Sequence, residues 1–234
     1  MNGCWSRSDR PGAAVSSELL VSRPGRVDYE PALRAMQAFT DARDRGTPDE
    51  FWLLEHPPVF TLGRVARAEH VLDVGEIPLV QVDRGGQVTY HGPGQIVLYT
   101  LIDLRARGIG VRSLVDTLEQ AVIDVLGAAG VAAARRDGAP GVYVSGRKIA
   151  ALGLRVRRGC SYHGLALNVD CDVGPFARID PCGYRGLEVT NTVAEGITAS
   201  GDLLGERLIT RLAAALGYST VADGTRVPPA MAYR

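Results

Sequence analysis

Residues 141–170, GVYVSGRKIAALGLRVRRGCSYHGLALNVD, carry most of the information about the fold. Three mostly apolar runs lie within this stretch, at 141–144, 148–156 and 162–170, and we predict that each forms a β-strand. The Ser-Gly dipeptide between the first two runs is typical of a hairpin turn. The stretch therefore predicts a sheet of successive strands.

The flanking sequence adds further strands and amphipathic helices. Apolar residues at helical spacing, with capping residues Asp28 and Ser113, predict helices at 29–45, from 113 to Gly127 or Gly130, and at 203–216. Shorter apolar runs predict strands at 51–54, 59–62 and 95–104. This mixture predicts an α+β fold, a mixed sheet with flanking helices.

The chain shows no internal repeat and no linker that would divide it. We therefore predict one domain over residues 18–217, preceded by a disordered lead-in at 1–17 and followed by a loop-like tail at 218–234. With 234 residues, 46% of them apolar, and a formal net charge of zero, the composition is that of an ordinary soluble protein. No whole-protein field favours nucleic acid or an anionic membrane.

The sequence also predicts the cellular compartment of the protein. It contains no apolar run of about 18 residues, and its first residues lack the apolar core of a secretory signal. We therefore expect a cytoplasmic protein. Its four cysteines, Cys4, Cys160, Cys171 and Cys182, are expected to be free thiols rather than a disulfide framework.

Lys148 is the only lysine among 26 basic residues; the other 25 are arginine. Arginine cannot release its proton in a protein, whereas lysine can. Because Lys148 opens an otherwise apolar strand, we expect its ammonium to be partly desolvated, which favours loss of the proton. Lys148 is thus a candidate for proton chemistry, although a single lysine could also stand there by accident.

A second candidate is the glycine-rich segment DRGGQVTYHGPGQ at 83–95. Glycines let the backbone approach a ligand closely, but a plain glycine-rich hairpin would have the same composition. The segment lacks the spacing of a dinucleotide fingerprint, and Gly146-Arg147-Lys148 fails as a phosphate loop because Ile149 replaces the metal-binding hydroxyl.

Three cysteines and His163 within 160–183 raise the question of zinc. Cys160 and His163 are three residues apart on a predicted strand, so they point to opposite faces, and no C-x-x-C pair exists. We therefore predict no metal site. Cys182, between Pro181 and Gly183, is left as a candidate nucleophile in a turn, with a buried structural thiol as the alternative.

At this point the residues resemble a known family. RGGQVTYHGPGQ at 84–95, GRKIAALG at 146–153, HGLALNVD at 163–170 and PCG at 181–183 are similar to the lipoyl(octanoyl) transferases, as is EHPPVFTLG at 55–63. The resemblance spans about residues 18–217 and implies a single domain of the biotin/lipoate protein ligase type. It implies an acyltransferase that moves an octanoyl group from acyl carrier protein to a lipoyl-domain lysine.

The resemblance also implies a set of site residues. Lys148 and Cys182 would form the catalytic pair. The acyl chain would be held by three segments: Arg84, Gly85, Gly86, Gln87, Val88, Thr89, Tyr90 and His91; Ala151, Leu152 and Gly153; and Gly164, Leu165 and Ala166. Backbone N–H groups beside Cys182, or else His91 or His163, could stabilise the oxyanion, and the sequence does not choose among them.

The implied partners are octanoyl-acyl carrier protein and the lipoyl domains of 2-oxoacid dehydrogenase E2 subunits and the glycine cleavage H protein. No ATP, metal, nucleic acid or membrane is expected, and the chain is expected to be monomeric. We expect Arg147, Arg155, Arg157 and Arg158 to form a docking patch for an acidic carrier protein, with a solvated strand face as the alternative. The rival functions are an ATP-dependent lipoate or biotin ligase and a non-catalytic acyl- or zinc-binding module.

Overall fold

The computed structural model describes residues 17–181 and 185–224 of the chain. Its strands are β1 (Glu18–Arg26), β2 (Asp49–Glu55), β3 (Val59–Leu62), β4 (Leu79–Gln81), β5 (Val88–His91), β6 (Gln95–Leu101), β7 (Val142–Val144), β8 (Arg147–Arg157), β9 (Cys160–Asn168) and β10 (Thr220–Asp223). Its α-helices are α1 (Tyr29–Ala42), α2 (Val111–Ala128) and α3 (Gly201–Ala215), and two 3₁₀ helices cover Ala68–His70 and Gly174–Arg178.

The large sheet has seven strands in the order β10-β1-β2-β6-β9-β8-β7. Pairing is parallel from β10 through β1 to β2 and antiparallel across the remaining strands, so the sheet is mixed. A smaller sheet, β4-β3-β5, lies apart from it. The two sheets are connected by the turn at His56, because β2 belongs to the large sheet and β3 to the small one.

Hydrophobic cores form on both faces of the large sheet. On one face, side chains such as Leu98, Leu165 and Leu167 pack with the apolar stripes of α2 and α3. On the other face, Trp52 and Ala166 belong to a core with α1. Packing on two faces explains why β6 and β9 are buried at every position. The predicted α+β architecture with flanking helices is confirmed.

Individual elements differ from the sequence prediction at their ends. Helix α2 begins at Val111 after Gly110, so Ser113 is not its cap, and Asp28 stands at the start of α1 without a side-chain cap bond. The third helix begins earlier than predicted, because the Oγ of Ser200 accepts a hydrogen bond from the backbone N–H of Leu203. Polar and glycine positions inside the first turn concealed these boundaries.

The prediction that the tail is loop-like was wrong for part of it. Residues 220–223 form β10, which pairs in parallel with β1, a strand that the sequence analysis missed as well. Neither strand shows a clear alternation of apolar and polar residues: β10, at the edge of the sheet, is mostly exposed, and the burial of β1 does not alternate regularly. Residues 1–16 and 225–234 lie outside the described part of the chain, and with them most of the predicted lead-in.

Within the described ranges, no helix is long and apolar enough to cross a membrane.

A buried ionic cluster ties the C-terminal part of this sheet to its centre. The carboxylate of Asp49 accepts hydrogen bonds from the guanidinium groups of Arg43 and Arg107 and from the hydroxyl of Tyr218. The side chains of Asp49, Arg43 and Arg107 are only 7%, 3% and 6% exposed. The carboxylate therefore compensates two buried cations at once.

We expect Asp49→Asn to lower the free energy of unfolding by about 3–5 kcal/mol, because both guanidinium groups would stay buried without a counter-charge. Urea denaturation at pH 7 measures the change. Arg23→Gln is the matched control, since Arg23 pairs with Glu206 at the surface and its loss should cost less than about 1 kcal/mol. Equal stability losses in the two variants would contradict this account of the cluster.

Candidate active site

A cavity opens between the two sheets on the face that carries α1. It encloses about 720 Å³ of empty space, including its mouth. Its lining comes from β6, β8 and β9 of the large sheet and from the segment 84–91 that leads into and forms β5. The three glycine-containing segments that the sequence analysis singled out therefore meet at one place.

A β-bulge brings Lys148 into this cavity. Val142 pairs with Ala150 and Tyr143 pairs with Lys148, so Ile149 is an extra residue on β8. Residues three apart on a regular strand face opposite sides of the sheet, and the extra residue changes this phase. Lys148 and Ala151 consequently line the same cavity, while Ile149 packs in the core beneath α2 and α3.

The side chain of Lys148 is almost completely enclosed, with only 5% of the residue exposed. Its Nζ donates a hydrogen bond to the carbonyl oxygen of Pro140 at 2.9 Å and lies 5.5 Å from the ring centre of Tyr143. Gly141 provides the necessary space: a Cβ there would lie 2.7 Å from Cε of Lys148. The expected desolvation of this amine is confirmed by its burial.

Small residues at matching positions form the floor of the cavity. Ala151 of β8 pairs with Ala166 of β9, and Gly153 pairs with Gly164. All four line the cavity, so no side chain larger than a methyl group projects from these four positions. Gly164 has a second reason to be glycine, since a Cβ would come within 2.0 Å of the carbonyl oxygen of Leu98 on the neighbouring strand.

Arg84 holds the glycine-rich segment in place. Its buried guanidinium donates hydrogen bonds to the carbonyl oxygens of Thr61, Gly85 and Gln87 and to the hydroxyl of Thr61. These bonds connect the segment to β3 of the small sheet. Arg84 lines the cavity. Its two Nη groups are engaged by the segment and by Thr61, so its side chain forms part of the cavity wall.

His163 is held by a carboxylate at the rim of the site. Its φ of 62° is left-handed, and it is followed on β9 by Gly164. This conformation lets the neighbouring side chains of Tyr162 and His163 stack on each other and both donate hydrogen bonds to Asp83. Burial alone would raise the pKa of Asp83, but these hydrogen bonds outweigh it and hold that pKa below its usual range.

The proton on His163 is therefore assigned to Nε2, which lies 3.0 Å from Oδ1 of Asp83. Burial lowers the pKa of His163, so the ring is neutral near pH 7 and Nδ1 carries a lone pair. That Nδ1 is buried without a hydrogen-bond partner in the described part of the chain. A neutral ring in this tautomer cannot donate a hydrogen bond from Nδ1.

His91 is fixed in a comparable way by an amide chain. Gln95 donates from Nε2 to the oxygens of Tyr90 and Asn168, so its Oε1 must face Nδ1 of His91 at 2.7 Å. The proton of His91 consequently lies on Nδ1. Burial and the neighbouring His56 hold the pKa of His91 well below its ordinary value. Because both candidate histidines are neutral with their N–H groups already engaged, the geometry favours backbone N–H groups as oxyanion donors.

Most residues predicted to bind the acyl chain line the cavity, and their binding role stays a prediction. The exceptions are Gly85, which donates its N–H to Leu154 O, and Tyr90, whose ring packs against Phe60 and Phe176 in the core of the small sheet. The cavity lining contains the other predicted residues: Arg84, Gly86, Gln87, Val88, Thr89, His91, Ala151, Leu152, Gly153, Gly164, Leu165 and Ala166, with Lys148 and His163.

Cys182 lies outside the described residues, as do Gly183 and Tyr184. Pro181, the residue before it in the sequence, lines the same cavity as Lys148. Two other cysteines, Cys160 and Cys171, lie within the described residues. Burial raises the pKa of Cys160, and it raises the pKa of Cys171 to about 12. Neither thiol is suited to act as a nucleophile near pH 7. Over residues 17–181 and 185–224, no group of three or more His, Cys, Asp and Glu side chains could hold a metal ion.

The four arginines of the predicted docking patch do not all lie together. Arg147 and Arg157 stand at opposite ends of β8, about 33 Å apart at 3.3 Å per residue. Arg147 pairs with Glu195, whereas Arg157 and Arg158 bind the side chain and the carbonyl of Asp41. The strand thus separates Arg147 from the other three arginines, and a docking patch of Arg155, Arg157 and Arg158 stays a prediction.

Several lining residues were missed by the sequence analysis. They are Tyr29, Val97, Tyr99, Ala150, Asn168, Phe176, Pro181 and Val189. A usable signal existed for Asn168, which follows Ala166 and Gly164 at the two-residue period of one strand face. Tyr29 comes from α1, on the other side of the cavity, and its position depends on tertiary packing.

The comparisons with known proteins agree with this geometry. The model of the lipoyl protein ligase A/B catalytic domain matches residues 28–208. The chain belongs to this family. It is 61% identical over 204 residues to an octanoyltransferase of Azoarcus sp. (strain BH72), covering 86% of this chain and 89% of the relative. It is 54% identical over 211 residues to an octanoyltransferase of Vibrio vulnificus (strain YJ016), covering 90% and 97%. The family resemblance stated from the sequence is confirmed.

A solved structure shows the same fold at low sequence identity. Lipoate-protein ligase A bound with ATP superposes with a TM-score of 0.71 at 18% identity, covering 89% of this chain and 87% of the ligase. This similarity concerns the fold only. It confirms the predicted lipoate ligase-like architecture.

The buried histidines make stability depend on pH. Burial lowers the pKa of His56 to about 4, so the folded state stays unprotonated while the unfolded state binds a proton below about 6.5. Stability is therefore lost as pH falls through this window. Between pH 7.5 and 5, His56 alone should lower the free energy of unfolding by about 2 kcal/mol, and His91 and His163 act in the same direction.

Urea denaturation across pH 5–7.5 measures this slope. In His56→Gln the pH dependence of the free energy of unfolding should lose the contribution of one proton, even though the variant is less stable at pH 7.5. An unchanged slope would show that His56 is not the titrating group.

Proposed function

We propose that this chain transfers an octanoyl group from octanoyl-acyl carrier protein to the lysine of a lipoyl domain through a thioester on Cys182. Lys148 serves as the charged partner of the thiol and then as the base. The observation that supports this most directly is the buried amine of Lys148 in a cavity that Pro181 also lines, one residue before Cys182.

The first half of the reaction is a thioester exchange. A free thiol with a pKa near 8.5 is only about 3% thiolate at pH 7, and a neighbouring ammonium that lowered this pKa by about two units would raise the fraction to roughly three quarters. The thiolate attacks the octanoyl carbonyl and the bond from the acyl carbon to the carrier sulfur breaks. The carrier leaves as a thiol after taking the proton of the Lys148 ammonium, so Lys148 is left neutral. One thioester replaces another, so no ATP is needed.

The second half is aminolysis. The acceptor lysine is almost entirely protonated at pH 7, and it must lose a proton before its nitrogen can attack. Neutral Lys148 accepts that proton, and the amine then attacks the thioester carbonyl. The bond from the acyl carbon to Sγ of Cys182 breaks, the amide forms with loss of its second proton to solvent, and Cys182 leaves as the thiolate. An arginine at 148 could provide positive charge but could not perform this step.

The trough formed by Ala151, Gly153, Gly164 and Ala166 would hold the acyl chain. Burying about seven carbons at roughly 0.8 kcal/mol each contributes about 5 kcal/mol before entropic costs. From Lys148 to Gly153 the lining follows β8 for five residues, long enough for an extended chain of eight carbons. Backbone N–H groups are the proposed oxyanion donors.

The remaining parts of the proposal concern cofactors and partners. We propose that no ATP or metal takes part, that lipoyl domains of 2-oxoacid dehydrogenase E2 subunits and the glycine cleavage H protein are the acceptors, and that the monomer acts in the cytoplasm. The similar solved ligase binds ATP, so the ATP-dependent alternative requires a direct test.

Incubation with octanoyl-acyl carrier protein followed by intact-mass spectrometry tests the thioester. We expect one octanoyl adduct on the unmodified chain and on the control Cys171→Ala, whose thiol is buried, and none on Cys182→Ala. Transfer should be unchanged by apyrase and EDTA. An adduct on Cys182→Ala, or a requirement for ATP and magnesium, would contradict the mechanism.

Lys148→Arg separates the two roles of the amine. The arginine keeps a positive charge, so the adduct should still form, though more slowly. Transfer to a lipoyl domain should fall at least about 100-fold because the base is lost. Single-turnover rates of the two half-reactions measure this, and unaltered transfer would exclude Lys148 as the base.

A further inference from the structure

Helix α2 carries one buried carboxylate, Glu119, on its otherwise apolar face. Glu119 lies between Leu118 and Ala121 in the core-facing stripe and is 5% exposed. A carboxylate at such a place is costly unless it is paired and hydrogen-bonded. Its two oxygens are both engaged: Oε2 accepts from Nε of Arg135 at 3.0 Å, and Oε1 accepts from the backbone N–H of Gly141 at 2.8 Å.

The bond to Gly141 leads to the active site. The N–H of Gly141 and the carbonyl of Pro140 belong to the same peptide unit, and that carbonyl accepts the hydrogen bond from Nζ of Lys148 at 2.9 Å. The described part of the chain contains no cis peptide, so these N–H and C=O groups point in opposite directions. Glu119 and Lys148 therefore bind the two ends of one peptide dipole.

We propose that Glu119 is a positioning residue for the amine of Lys148, acting through the Pro140–Gly141 peptide. This inference rests on the proposed function, since it presumes that the amine takes part in transfer. A carboxylate that accepts the N–H polarises the peptide and strengthens its carbonyl as an acceptor. It also fixes the direction of that carbonyl, which sets the position of the ammonium.

The loop between Arg135 and Gly141 requires this restraint. Residues 135–138 are exposed, and residues 136–139 are in neither a helix nor a strand. Gly141 has a φ of 142°, in the region that favours glycine, and the carbonyl of Ala139 two residues earlier accepts a hydrogen bond from the hydroxyl of Tyr143. The carboxylate on α2 holds the N–H of Gly141 in place. The same peptide unit thereby keeps the carbonyl of Pro140 directed at Lys148.

The experiment compares Glu119→Gln with Arg135→Gln. The first variant keeps the shape of the side chain and removes its charge, while the second disturbs the same ion pair but leaves the carboxylate on Gly141. We expect kcat for octanoyl transfer to fall about tenfold in Glu119→Gln, with KM for the carrier within about twofold, and both constants to stay within about twofold in Arg135→Gln.

The rate of Cys182 alkylation by iodoacetamide at pH 7 is an independent measurement. A less firmly held ammonium stabilises the thiolate less, so alkylation should slow about threefold in Glu119→Gln and stay unchanged in Arg135→Gln. A purely structural role of Glu119 would lower the melting temperature without changing this rate in the folded protein.

Combining Glu119→Gln with Lys148→Arg shows whether the two residues act together. If Glu119 acts only through the amine, adding Glu119→Gln to Lys148→Arg lowers the transfer rate by less than about a further twofold. A full additional tenfold loss would overturn the proposal. So would wild-type kcat in Glu119→Gln, or equal losses in Glu119→Gln and Arg135→Gln.

Two safeguards keep the outcomes separate. If Glu119→Gln does not fold, Glu119→Asp keeps the charge but shortens the side chain by one methylene, and wild-type kcat in that variant overturns the proposal equally. If instead Lys148→Arg and Cys182→Ala transfer octanoyl groups normally, the proposed function fails. Inactivity of those two variants with normal Glu119→Gln would reject only the positioning role.

Discussion

The register between β8 and β9 is the constraint on which the site depends. Ala151 opposite Ala166 and Gly153 opposite Gly164 form a trough of small residues, while the side chains of Leu152 and Leu165, which border the same cavity, pack in the core with α2 and α3. A shift by one residue would exchange these faces, filling the trough with leucine side chains and removing the core beneath α2 and α3. Folding and cavity formation are therefore specified by the same side chains.

Around this trough, polar groups are buried but paired. The carboxylate of Asp83 fixes His163, the amide of Gln95 fixes His91, and the guanidinium of Arg84 fixes a loop of backbone carbonyls. Asp83 and Gln95, the partners of the two histidines, lie outside the cavity lining, and Arg84 is held by Thr61 and by its own segment. Both histidines are thus neutral near pH 7, and Arg84 directs its charge at backbone carbonyls. This arrangement supports the proposal that the proton chemistry takes place at Lys148.

Much of the fold and of the candidate site could be predicted from the sequence, and the parts that could not be predicted have physical explanations. Alternation and small residues predicted β8 and β9, and the solitary lysine pointed to Lys148. The bulge at Ile149 was not predictable, because an extra residue leaves no mark in an apolar run. The edge strand β10 and its neighbour β1 were missed because their apolar–polar patterns are weak. Glu119 was not singled out from the sequence, because only the packing of a distant loop shows its partners.

The parallel pairing of β10 with β1 has a consequence for any shortened form of the protein. The last strand covers the outer hydrogen-bonding edge of β1, and ending the chain at the family motif boundary near residue 217 would uncover those N–H and C=O groups. A bare edge of this kind recruits other chains. With β10 in place, the edge of the sheet at this side is a strand of only four residues, and short edge strands offer little for another chain to pair with.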